Sequence, residues 1–139
     1  MTARRLLVID DEADFGTFVG RVARGLGFEV MLTKCATEFQ EAYRQFAPTH
    51  ILVDVVMPDR DGIEIIGWLA ATGCEGRIFI ISGYSSSYAK AAKEIGASQG
   101  LRSLTTLKKP ISLADLRGAL DGHEVKAADL LHDRQNNDP

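Results

Sequence analysis

With 139 residues, 45% of them hydrophobic and 25% charged, the chain suits one soluble domain with a single sizeable core. A formal net charge of −3, with no Lys/Arg run along one face, excludes a basic footprint for direct nucleic-acid binding. The apolar runs LLVI, ILV and IFII are far shorter than the ~18–20 residues of a membrane span, and MTARR carries no small-residue cleavage site, so the expectation is a cytoplasmic chain.

Residues 4–10 (RRLLVID) predict a first strand buried on both faces. Phe15, Phe18, Val19, Val22 and Leu26 then recur at helical spacing over 12–26, and Gly27 closes that helix. A second strand over 28–33 precedes a helix capped by Thr37 and ended near Phe46 by Pro48. The third strand, 50–55, runs into the loop MPDRDG, and Ile63, Ile66, Trp68 and Leu69 mark a third helix. Strand four over 77–81, an alanine-rich helix over 85–97, strand five over 103–108 and a helix capped by Ser112 through about Leu120 complete the series. Such alternation predicts a single α/β domain over 1–121: a doubly wound five-stranded parallel sheet in the order 2-1-3-4-5. The tail, 122–139, reads as disordered, with a short helix around Val125–Leu131 as the alternative. Cys35 and Cys74 lie far apart without metal spacing and read as reduced packing thiols.

Polar residues interrupt the strand pattern at one kind of place. Asp10 and Asp11 end strand one, Asp54 ends strand three, Ser82 ends strand four, and Lys109 follows strand five. The C-terminal edge of an open parallel sheet is where ligands bind, and strands one and three are neighbours where the winding reverses. Three converging carboxylates repel unless a cation or raised pKa values relieve them. Mg²⁺, a hard cation suited to one or two carboxylates with phosphate and water, meets that need. Asp54 could then attack phosphorus, with Lys109 and Ser82 contacting the phosphate oxygens. Singly, each feature has an ordinary explanation: Asp10-Asp11 as a helix cap, Asp54 or Ser82-Gly83 as a turn, Lys-Pro as chance. It is their joint occurrence after successive strands that points to phosphoryl chemistry.

The motifs VIDDE (8–12), LVDVVMPDRDG (52–62), IISGY (80–84) and KKP (108–110) resemble the response-regulator receiver family over about residues 4–121. The resemblance implies that Asp54 is the phosphoacceptor and that Asp10, Asp11, Asp54 and the backbone carbonyl of Val56 hold Mg²⁺. It further implies that Ser82 is the switch hydroxyl, that Lys109 is the phosphate-contacting lysine, and that the Lys109–Pro110 peptide is cis. A sensor histidine kinase or histidine phosphotransfer protein would donate the phosphoryl group. A downstream protein partner, an output domain or a second copy in a homodimer would receive the signal, without direct nucleic-acid or membrane binding. The chain would catalyse only its own phosphorylation and dephosphorylation.

One departure stands out. Gly96-Ala97 is followed by SQGLRSLTTLKKP, about twice the family's usual connection, and Thr106 occupies the aromatic switch position three before Lys109. Tyr84 is the substitute aromatic candidate. Asp59 and Asp61 read as loop and cap residues, and His50, His123 and His132 show no metal spacing. Two competing readings are a pseudo-receiver that binds without phosphorylation and a haloacid-dehalogenase-like phosphatase. The complete acidic and phosphate-contacting set argues against the first, and the missing DxD after strand one against the second. Neither GxGxxG after a strand nor GxxxxGK[ST] is present for a nucleotide.

Overall fold

The computed structural model describes residues 3–55, 61–83 and 86–122. Ten elements alternate along it: β1 (Arg5–Ile9), α1 (Ala13–Gly25), β2 (Glu29–Thr33), α2 (Ala36–Phe46), β3 (His50–Asp54), α3 (Asp61–Thr72), β4 (Arg77–Ser82), α4 (Ser86–Ser98), β5 (Leu104–Lys108) and α5 (Leu113–Asp121). All neighbouring strands pair in parallel, in the order β2-β1-β3-β4-β5. This is the doubly wound α/β sheet that the alternating pattern predicts.

Period-two alternation divides the core into two layers. On one side, Leu7 and Ile9, Ile51 and Val53, and Ile78 and Ile80 pack with Phe39 of α2, Ile65, Ile66 and Leu69 of α3, and Ala89 and Ala92 of α4. On the other, Leu6, Val8, Leu52, Phe79 and Ile81 meet Val19, Val22 and Ala23 of α1 with Leu116 and Leu120 of α5. The middles of the central strands are therefore apolar on both faces. Each fully buried Leu, Ile or Phe contributes roughly 1.5–3 kcal/mol of transfer free energy, enough collectively to hold the polar strand ends above them in fixed register.

Local signals explain most boundaries. Ser112 caps α5 by accepting a 3.0 Å hydrogen bond from the amide of Asp115. Helix α2 begins earlier than its expected Thr37 cap: Cys35 is the N-cap and makes no side-chain capping bond. Glu38 instead reaches back past the cap, its Oε1 accepting from the amide of Lys34 at 2.9 Å. At the other end Ala47 adopts a left-handed conformation (φ 52°) and terminates the helix directly before Pro48. The long link to β5 is absorbed by a turn over 99–103, in which Gly100 takes φ 106° and Leu101 folds under, its amide donating to the carbonyl of Gly96. The predicted features at Val56, Asp59, Tyr84, His123, His132 and Val125–Leu131 lie outside the described residues.

Candidate functional site

The C-terminal ends of β1 and β3 are adjacent, with Ile9 opposite Val53 in register. Asp10 extends the ladder one step beyond β1, its amide donating to the carbonyl of Thr33 at 3.1 Å. Its carboxylate then folds forward, Oδ1 accepting from the amide of Glu12 at 2.7 Å. This is the local turn chemistry of an aspartate, and it leads the chain into α1. Asp54 is the last residue of β3 and lies opposite Ile81 of β4. Asp10 and Asp54 are only 4% and 2% exposed, whereas Asp11 faces solvent.

One carboxylate oxygen from each of Asp10, Asp11 and Asp54 falls within 4.8 Å of the other two. Lys109 is the counter-charge. Its Nζ lies 3.0 Å from Asp10 Oδ2, 2.6 Å from Glu12 Oε1 and 3.4 Å from Asp54 Oδ2, and 4.4 Å over the Phe15 ring. Burial opposes the charged form of Lys109. The contacts to Glu12 and Asp10 and the nearby Asp54 charge outweigh it and hold the ammonium above the usual lysine range. The lysine backbone is fixed as well, its amide donating to the carbonyl of Ser82 at 2.8 Å, and the Lys109–Pro110 peptide is cis.

The fit of this cluster to a hard cation rests on one oxygen. Asp10 Oδ2 is buried, and no donor among the described residues directs a hydrogen bond at it. The ammonium 3.0 Å away offers charge without hydrogen-bond alignment. That oxygen is ion-paired but still has lone-pair capacity for a cation, and an all-oxygen set of two buried carboxylates and one exposed one is the donor chemistry that Mg²⁺ selects.

Ser82 ends β4 as a buried residue in register with Lys108. It continues the alternation of Ile78 and Ile80, so it rises on the α3 and α4 side of the sheet. Asp10 continues that of Leu6 and Val8, on the α1 and α5 side. The two strand ends thus approach the site from opposite faces. Thr106 is exposed on β5 opposite Ile80, with no aromatic ring at its position.

Three contributors were hidden from sequence reading. Glu12, quoted only as part of VIDDE, makes the shortest contact to Lys109. Phe15, read as a core residue of α1, supplies the surface under the ammonium. Gly62 allows α3 to begin against β3: a Cβ there would collide with the backbone carbonyl of Asp54 and sit 2.5 Å from Val55 Cα. Its presence in the Asp-Gly pair of the loop was the available signal, but only the close approach explains it.

A family model described as the response regulator receiver domain matches residues 6–121. The chain belongs to the response regulator receiver family. Such domains are signalling domains rather than classical enzymes. Among relatives, this receiver is 28% identical over 118 residues to the photosynthetic apparatus regulatory protein RegA of Rhodobacter capsulatus, covering 84% of this chain and 61% of RegA. It is 31% identical over 117 residues to the transcriptional regulatory protein PrrA of Mycobacterium tuberculosis, covering 84% of this chain and 48% of PrrA. The receiver thus spans about half to three-fifths of the length of these relatives.

Solved structures agree on the fold. A response regulator receiver domain protein from Clostridium thermocellum superimposes with a TM-score of 0.73 at 22% identity, covering 92% of this chain and 98% of the other. A CheY-like receiver protein from Methanospirillum hungatei gives a TM-score of 0.70 at 20% identity, covering 91% and 100%. No helix among the described residues of the receiver is long and apolar enough to cross a membrane.

Proposed function

We propose that this receiver, over residues 1–121 with 122–139 as a tail, is a phosphorylation-controlled switch in a two-component or phosphorelay system. The phosphoryl donor is a phosphohistidine on a sensor histidine kinase or a histidine phosphotransfer protein. The observation that carries the reading is the buried Asp54 carboxylate, within 4.8 Å of the Asp10 and Asp11 carboxylates and 3.4 Å from the Lys109 ammonium.

An Asp54 oxygen forms a bond to phosphorus while the phosphorus–nitrogen bond breaks, and the imidazole leaves with the electron pair. Asp10, Asp11, Asp54 and the carbonyl of Val56 would hold Mg²⁺, which when bound offsets negative charge on the transferring group. Lys109 supplies a point charge to one phosphoryl oxygen, and the Ser82 hydroxyl donates to another. Burial of Asp54 limits access to water and favours in-line approach from the open edge of the sheet. Hydrolysis of the aspartyl phosphate resets the domain.

The added charge of ≈ −1.5 to −2 draws Ser82 and Lys109 inward and shifts the population between two conformations. The altered surface then changes affinity for a downstream protein partner, an output domain or a second copy of the chain. With Thr106 in place of an aromatic residue, Tyr84 is the aromatic reporter; Tyr84→Ala should abolish the phosphorylation-dependent change in partner affinity.

Intact mass after incubation with acetyl phosphate and Mg²⁺ tests the assignment. One phosphoryl group should add in a Mg²⁺-dependent manner and be lost in Asp54→Asn. A folded wild-type sample that gains no mass would refute it and favour constitutive binding.

A further inference from the structure

We infer that Glu12 is a positioning residue that restrains Lys109, so that breaking the Glu12–Lys109 contact limits the rate of phosphoryl transfer to and from Asp54. This rests on the reading of Asp54 as the phosphoacceptor. The ammonium stands 2.6 Å from Glu12 Oε1, 3.0 Å from Asp10 Oδ2 and 3.4 Å from Asp54 Oδ2. Because the Asp10 carboxylate would be taken up by Mg²⁺, the contact that persists at saturating Mg²⁺ is the one to Glu12 at the solvent mouth. The Glu12 side chain is 63% exposed, whereas that of Lys109 is only 16% exposed. Glu12 therefore gives the ammonium an outward partner at little desolvation cost, while Phe15 lies beneath it.

The backbone of Glu12 does separate work. Its amide donates to Asp10 Oδ1 and its carbonyl accepts from the amide of Gly16 at the start of α1. Its side chain makes no capping bond to that helix. The carboxylate can therefore be changed without removing either backbone contact.

Transfer spreads negative charge over the phosphoryl oxygens, where Lys109 is useful only if its Nζ turns toward Asp54. In the test reaction an Asp54 oxygen bonds to the phosphorus of acetyl phosphate, the phosphorus–oxygen bond to the acetyl group breaks, and acetate leaves with the electron pair. In the reset a water oxygen bonds to phosphorus, the bond to Asp54 breaks, one proton stays on the released phosphate and the other goes to solvent. Both directions call on the same lysine, so a restraint on it slows both.

Glu12→Gln removes the charge, and Glu12→Asp keeps the charge but shortens the side chain by one methylene and so lengthens the 2.6 Å contact. Both variants should accelerate phosphorylation at saturating Mg²⁺ and hydrolysis of the purified phosphoprotein together. The expected gain is about two- to five-fold, the range set by an exposed ion pair. High salt should erase the difference from wild type by screening the same pair. In crystals of Mg²⁺-free Glu12→Gln, Lys109 Nζ should close on Asp54 Oδ2 to about 2.8 Å, a charge-assisted contact. Acceleration by Glu12→Gln alone would assign the effect to repulsion of the anionic donor and overturn the restraint, as would unchanged or slower rates in both variants. Absence of phosphorylation in wild type would instead refute the Asp54 assignment, a separate result.

Discussion

Replacing Gly62 by alanine sets two well-defined effects against each other. Alanine favours a helix over glycine by roughly 0.5–1 kcal/mol, so at an open site the change should stabilise α3. At Gly62 the new methyl would meet the carbonyl oxygen of Asp54, with Val55 Cα 2.5 Å and the Asp54 carbonyl carbon 2.9 Å away. These are backbone atoms of a central strand end, with no rotamer to yield, so α3 must lift from β3. Overpacking of this kind costs about 1–3 kcal/mol. Subtracting the helix gain leaves a net loss of up to about 2.5 kcal/mol, centred on about 1 kcal/mol, which is roughly 3–6 °C in Tm for a domain of this size.

Gly67, five residues along the same helix, is the internal control. A Cβ there meets only Gln99 Oε1 at 3.9 Å, so Gly67→Ala should gain up to about 1 kcal/mol from helix propensity. Urea unfolding of the two variants, read as the midpoint at constant slope, measures the contrast directly. A Gly62→Ala protein as stable as wild type would refute the close approach of α3 to Asp54. Where the loss occurs, weaker phosphorylation of Asp54 should accompany it, because the lifted start of α3 is packed directly against that residue.

Two further outcomes are expected. Burial, with the positive charges of Arg77 and Arg4, lowers the His50 pKa from 6.5 to about 4. The unfolded chain therefore binds a proton that the native state refuses, and stability present above pH 6.5 is lost as pH falls toward 4. Between pH 7 and 5 the wild type should lose about 2 kcal/mol more than His50→Gln, and parallel denaturation curves at both pH values would refute the assignment. Mg²⁺ at ten times its dissociation constant should add about 1.4 kcal/mol and raise Tm, with reversal by EDTA. Asp10→Asn should lose most of that gain, and an equal Tm rise in the variant would remove Asp10 from the cation site.

The plan of the domain was written in the sequence because it depends on local periodicity. The continuous apolar runs of β1, β3 and β4 could be satisfied only between two helical layers, and the helical spacing between them supplied those layers. The strand-end polar residues were equally visible, since a carboxylate or lysine directly after such a run is conspicuous. Helix starts were less legible. The expected Thr37 cap gave way to Cys35, which has extended backbone and no capping side-chain bond, while Glu38 reached back to the amide of Lys34.

What only the tertiary structure decided was contact across elements. Sequence order says nothing of the hold that Glu12 has on an ammonium ninety-seven positions away. Nor does it tell that α3 begins within touching distance of the carbonyl of Asp54. His50 reads from sequence as a solitary histidine. In the fold it lies edge-on to Phe28 with ring centroids 4.8 Å apart and is stacked with Phe79 at 6.4 Å. Local pattern determines which face of a strand or helix is apolar, because neighbouring residues alone set it. The distances and charges that tune a site arise from residues brought together only after the sheet has closed its register and excluded water.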